Sequence, residues 1–184
     1  MKNVWVVADW HLSHHNCACV FKKEDGSQLR PFESASHMDE MLIQWHNEIV
    51  KPNDKVYVLG DVCISRKGMD VVGKFNGDKV LVKGNHDIFK LEDYTKYFRD
   101  VRAYHVISGL IMSHVPVHPD SLYRFKFNVH GHLHANTVKY NGTDDPRYLC
   151  TSLEQVNFRP INMDEIIKIR DSRKDSIERL YNSN

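Results

Sequence analysis

Residues 54–61 read DKVYVLGD and residues 78–85 read DKVLVKGN. Each is a short apolar run ending in glycine, followed by a residue with a side-chain oxygen: Asp61 in the first, Asn85 in the second. A β-branched and aromatic run bounded by turn residues reads as a buried strand. The intervening residues, 62–77, suit a crossover with a short helix, which predicts neighbouring parallel strands. Parallel strands put their carboxyl ends on one edge of the sheet, where open α/β sheets keep their sites. Glycine there permits the sharp turn that aims the next side chain over that edge.

The same grammar appears at Asn3–Ala8 (NVWVVA), a strand followed by Asp9. Residues 12–35 lack periodicity and read as a long loop, a kind of segment that is often functional. A helix follows, with Ser36 as its N-cap, Asp39 near the third position and Met38, Met41, Leu42, Trp45 and Ile49 on one face; Pro52 closes it. Beyond Asn85, Val101–Ile107 and Leu110–Ser113 flank Ser108-Gly109 as a hairpin. Lys126–His130, Thr137–Tyr140 and Arg147–Leu153 read as further strands. Asn162 caps a last helix with a narrow stripe of Ile166, Ile169, Ile177 and Leu180. Without a linker or repeat array, residues 1–184 are expected to form one α/β domain.

Lys plus Arg total 25 against 24 for Asp plus Glu, so no global field draws the chain to nucleic acid or an anionic membrane. No stretch approaches the roughly 18 apolar residues of a membrane span, and the apolar start is too short for a signal peptide. Cys17, Cys19, Cys63 and Cys150 show no framework spacing and read as reduced thiols of a cytoplasmic protein. The 12 histidines exceed what packing needs, which turns attention to metal chemistry.

Five short pieces carry that chemistry: Asp9-x-His11, Gly60-Asp61, Gly84-Asn85-His86-Asp87, His114 and Gly131-His132-x-His134. Their carboxylate, imidazole and amide atoms suit manganese, iron, cobalt, nickel or zinc rather than calcium or copper(I). One four-ligand site would leave strong ligands over, whereas two divalent ions sharing Asp61 as a bridge use all of them. Two ions about 3.5–4 Å apart are the known arrangement for displacement at phosphorus.

In this order the pieces resemble the calcineurin-like metallophosphoesterase family, whose pattern is DxH, GD, GNH[DE], H and GHxH; the resemblance covers residues 9–134. It implies a two-sheet α/β/β/α sandwich. It implies that Asp9, His11 and His134 hold one metal, manganese foremost, that Asn85, His114 and His132 hold the other, and that Asp61 bridges them. It implies that His86 is no ligand but faces the phosphate and helps the leaving group depart, and Asp87 is expected to support it. The small bacterial and phage members are the nearer likeness, through residues 9–16 (DWHLSHHN) and Arg30-Pro31-Phe32. By that similarity His14 and Asn16 line the substrate pocket and Arg30 contacts phosphate. Where the Ser/Thr protein phosphatases have GDxxDRG, this chain has GDVCISR, with Ile64 and Ser65 in place of an Asp and an Arg, which speaks against protein phosphatase activity.

Each histidine alone reads equally well as structural; the constellation does not. His37 and His46 read as helix-surface residues and His105 as an ordinary strand residue, while His15, His118 and His130 sit near the site in sequence. Lys22-Lys23, answered by Glu24 and Asp25, and Arg99 and Arg102 around Asp100 read as solvated, as does the charged face of residues 168–179. The expected function is hydrolysis of a phosphodiester, a cyclic nucleotide or a nucleic-acid end. The alternatives are a phosphomonoesterase or nucleotide pyrophosphatase acting on a small phosphoester, or a metal-bearing scaffold without catalysis. No membrane or protein partner is expected.

Overall fold

Strands β1 (Val4–Val7), β2 (Lys55–Val58), β3 (Asp78–Val82) and β4 (Asp100–Arg102) run parallel in one sheet, edged by the antiparallel β11 (Ile161–Asn162) in the order β11-β1-β2-β3-β4. The structure is a computed structural model and describes residues 2–182. Val4 pairs with Lys55 and Lys55 with Asp78, so the strands begin level and end level. Asp9, Asp61 and Asn85 therefore leave the sheet at one edge, as the repeated unit predicts. The crossover between β2 and β3 holds a helix, α3 (Arg66–Val71), capped by the Ser65 hydroxyl accepting from the Gly68 amide.

A second sheet, ordered β10-β7-β6-β5, contains β5 (His105–Ile107), β6 (Leu110–Met112), β7 (Asn128–His130) and β10 (Tyr148–Cys150). β5 and β6 form the expected hairpin about Ser108-Gly109, both at positive φ. The single strand expected over 101–107 divides: Asp100–Arg102 joins β3 and His105–Ile107 joins β6. The chain crosses between sheets at Ala103-Tyr104, so local β propensity was read correctly and its partners were not. β8 (Lys139–Tyr140) and β9 (Thr143–Asp144) pair with each other.

Alternation along the strands sorts the core. Val7, Val56, Val58 and Leu81 face the helical side, where α2 (Ala35–Ile49) contributes Met38 and Leu42. Val6, Tyr57, Val80 and Val82 face Leu110, Met112 and Val129 of the second sheet. Each such side chain, fully buried, contributes about 1.5–3 kcal/mol before entropy is charged against it. The C-terminal segment joins the second of these core layers. Its α5 (Met163–Ser172) and α6 (Lys174–Asn182) add Met163, Ile166 and Ile177 to the layer between the sheets. The outer side of the second sheet is covered by a small cluster of Ile111, Leu122 and Tyr148. The two helices divide at Arg173, whose amide bonds back to Arg170 and Asp171.

Three local expectations change. The N-cap of α2 is Ser34, whose extended backbone lets its hydroxyl accept from the His37 amide at 3.0 Å; Ser36 lies inside the first turn. Residues 12–35 are not all loop, since α1 (His15–Cys19) and a Lys22–Gln28 bridge shape them. His46 is buried, not on the helix surface, with its Nε2–H donated to the Asn76 carbonyl and its ring against Trp10 and Phe75. Among the described residues no helix is long and apolar enough to cross a membrane.

Candidate metal centre

Three glycines let the strand ends converge. A side-chain carbon at Gly60 would stand 2.5 Å from His114 Nδ1, one at Gly84 would collide with Asp61, and one at Gly131 would stand 2.6 Å from Asp9 Oδ2. The backbone is left-handed at Asp9, His11, Asp61, His132 and His134, with φ between 49° and 71°. Non-glycine residues rarely hold that conformation, and such strain concentrates at functional sites.

Two clusters result: Asp9, His11 and His134, and Asp61, His114 and His132, each with its ligand atoms within 4.8 Å of one another. In the first, Asp9 Oδ2 accepts from the His132 amide (2.9 Å) and the Ser152 hydroxyl (2.7 Å), while Asp9 Oδ1 and both ring nitrogens of His11 are buried without a hydrogen-bond partner. Burial pushes the Asp9 carboxyl above its ordinary range, against the pull of His134 and His114. Burial, helped by the Arg30 charge, holds His11 well below its ordinary range, so it is a neutral ring with a free lone pair. A buried carboxylate oxygen and a buried lone pair facing one point without donors are what a cation satisfies.

In the second cluster His114 donates Nδ1–H to the Leu59 carbonyl at 2.8 Å, which turns Nε2 toward Asn85 Oδ1 (2.8 Å) and Asp61 Oδ1 (3.4 Å). His132 Nδ1 lies 3.0 Å from the same Asn85 oxygen. Asp61 spans the clusters, with Oδ2 3.6 Å from His11 Nε2 and Oδ1 on the His114 side. Burial raises its pKa, but His114, the His86 amide and His11 more than offset that and hold the carboxyl at about 2. The donor set of both clusters fits divalent ions of the manganese-to-zinc series, so the described residues form two sites able to hold metal.

The remaining expected residues divide. His86 is exposed, anchored by its amide on Asp61 Oδ1 (2.9 Å), with its ring 5.7 Å from that of His11. His14 borders the first cluster, its ring 5.8 Å from that of His11 and its Nδ1 accepting from the Cys17 amide. Asn16 is exposed on α1 and its side chain makes no hydrogen bond among the described residues.

Two expectations are corrected. Asp87 does not support the His86 ring: its buried carboxylate accepts from the amides of Asp61 (3.0 Å), Val62 (2.9 Å) and Gly84 (2.8 Å), tying the β2 and β3 loops together. Arg30 does not contact phosphate. It is fully buried, and its guanidinium donates to the Asp9 carbonyl (2.5 Å), the Trp10 carbonyl (2.9 Å) and Glu154 Oε1 (2.7 Å).

Glu154 and Ser152 were missed. Glu154 Oε1 also accepts Nδ1–H of His134 at 3.1 Å, which leaves His134 Nε2 for the first cluster. Burial works against the Glu154 carboxylate, but Arg30 and His134 outweigh it and hold the pKa at about 2. A signal was present, since Ser152 and Glu154 follow β10 as Asp9 follows β1.

No family model matches the chain. An uncharacterized protein of Methanocaldococcus jannaschii is 30% identical over 183 residues, spanning 95% of this chain and 94% of its own. The crystal structure of a protein of unknown function from Aquifex aeolicus shares the fold, with a TM-score of 0.64 at 20% identity over 92% of this chain and 100% of that one. Structural neighbours include a phosphopantetheinyl hydrolase from Mycobacterium tuberculosis, with a TM-score of 0.46 at 12% identity over 85% of this chain and 91% of that one. They also include an archaeal phosphodiesterase, at 0.43 and 14% over 82% of each chain. Likeness at those two scores is too weak to bear on activity.

Proposed function

The chain belongs to the same family as the uncharacterized Methanocaldococcus jannaschii protein, and from its site we propose a phosphodiesterase that works with two divalent metal ions, manganese foremost. The observation that carries this is Asp61, whose two oxygens face histidines of different clusters at 3.6 and 3.4 Å. One ion is assigned to Asp9, His11 and His134, the other to Asn85, His114 and His132, with Asp61 shared. Bound there, the ions would neutralise charge at the phosphoryl oxygens and lower the pKa of water.

The protein's own groups supply the rest. Asp61 is held ionised and aimed by the His86 amide, so it keeps its negative charge between the clusters at any ordinary pH. Glu154 and the Leu59 carbonyl fix His134 and His114 in the tautomer that presents Nε2. His86 is the exposed imidazole at the rim, suited to give a proton to the departing oxygen.

The test is Mn²⁺-dependent hydrolysis of bis-p-nitrophenyl phosphate, with p-nitrophenyl phosphate, chelated enzyme and Asp61→Asn alongside. Metal-dependent turnover of the diester that Asp61→Asn abolishes is the expected result. Preference for the monoester moves the assignment to a phosphomonoesterase, and silence with Mn, Ni, Co and Zn moves it to a non-catalytic scaffold.

A further inference from the structure

Large apolar side chains that remain exposed are concentrated at the metal edge. Phe21, Ile64, Ile88, Tyr104 and Val115, each at least 40% exposed, sit on loops that follow the carboxyl ends of β1, β2, β3, β4 and β6. An exposed apolar rim around a polar centre marks a surface that meets a ligand. Within it, two open clefts reach the clusters from different sides. One, of about 380 Å³, runs from His132 and His134 to Phe21, with Lys22 and Lys23 beside it and Glu24 at its margin. The other, of about 440 Å³, runs from Asn85 and His114 to Tyr104 and Val115, with Lys83 beside it.

Each cleft thus pairs an exposed aromatic ring with lysine. Lys22 and Lys83 form no ion pair among the described residues, so their charge is available to a ligand. Aromatic faces that stack bases, flanked by cations that follow the backbone, are how single strands are held without sequence preference. A cyclic nucleotide or a monoester would occupy one cleft and leave the other idle.

We infer that the substrate is an acyclic phosphodiester with a nucleoside on each side of the scissile phosphate, as in a short single strand, with one base on Phe21 and the other on Tyr104. This rests on the phosphodiesterase reading for its chemistry, but the clefts can be tested by binding. The probe is a fluorescein-labelled tetrathymidylate with phosphorothioate linkages, titrated by anisotropy into Mn²⁺-loaded protein and again in chelator. Phe21→Ala and Tyr104→Ala are each expected to raise Kd about tenfold. The double variant is expected to raise it about 100-fold, since distant sites add. Tyr123→Ala, at an exposed ring outside both clefts, is expected to change nothing.

No binding by the unaltered protein, or a loss in only one or neither of the two variants, overturns the inference. So does co-sedimentation with anionic phospholipid vesicles in place of strand binding, which would give the rim to a lipid surface. Turnover of bis-p-nitrophenyl phosphate without strand binding would sink the two-sided cleft and leave the phosphodiesterase standing. Two-sided binding without turnover by any metal would do the reverse.

Discussion

The Asp9–His11–His134 cluster and the Asp61–His114–His132 cluster use the same ligand types, yet the fold holds them differently. The first is braced from behind. Asp9 and His11 are buried, Arg30 grips the carbonyls of Asp9 and Trp10, and the same guanidinium holds the carboxylate that orients His134. The second is braced less: Asp61 and His114 are buried too, but Asn85 is exposed and His114 is steadied from behind by one backbone carbonyl. Preorganisation in the first places buried lone pairs where only a cation relieves them, whereas the buried polar atoms of Asp61 and His114 have hydrogen-bond partners within the protein. The contrast predicts one tightly held ion and one that exchanges readily.

Asp61→Asn tests what the clusters share and has the largest expected effect, with both ions weakened and diester hydrolysis falling to background. Calorimetric titration with Mn²⁺ checks it, and two ions retained at full affinity would end the bridging assignment. His86→Ala should leave both ions bound and slow turnover by about 100-fold. Loss of metal in that variant would make His86 a ligand.

Glu154→Gln separates the clusters. Removing the carboxylate that orients His134 should weaken one ion by about 10–100-fold and leave the other unchanged, read as a split in a two-site titration. Equal weakening of both would erase the contrast drawn above. Because the change also leaves Arg30 buried without its partner, a loss of about 3–5 kcal/mol of stability should accompany it, checked by urea unfolding.

The smallest effect on metal binding is expected beneath the first cluster, at His46. Its ring packs against Trp10, and burial holds its pKa at about 4. A folded pKa below the unfolded value means the unfolded chain takes up the proton first, so stability is lost as pH falls from about 6.5 to 4. The full span amounts to about 3 kcal/mol. Thermal unfolding of chelated protein across that range should fall for the natural chain and stay flatter in His46→Gln. Identical profiles would mean that His46 takes no part in the acid sensitivity.

Much of this could be read directly from the chain. The strand–glycine–oxygen unit at 54–61 and 78–85 announces parallel strands and a shared edge, and the structure brings all seven expected ligand residues together there. Arg30 misled because an arginine near a phosphate site has two good uses, and nothing at positions 29–31 tells them apart. His46 misled because the buried face of α2 runs through Met38, Asp39, Leu42 and His46, taking in two polar residues that hydropathy alone assigns to solvent.

The sequence by itself determined the local events: which runs form strands, where glycine lets the chain turn, and which side chains stand at those turns. Those depend on residues close in the chain, whose periodicity and backbone preferences are local physics. Only the tertiary structure decided what lies behind the ligands. Arg30 meets Glu154 across 124 positions, and Asp9 meets Ser152 across 143. Such pairings are set by which strands become neighbours and which faces are buried, and no spacing along the chain records them.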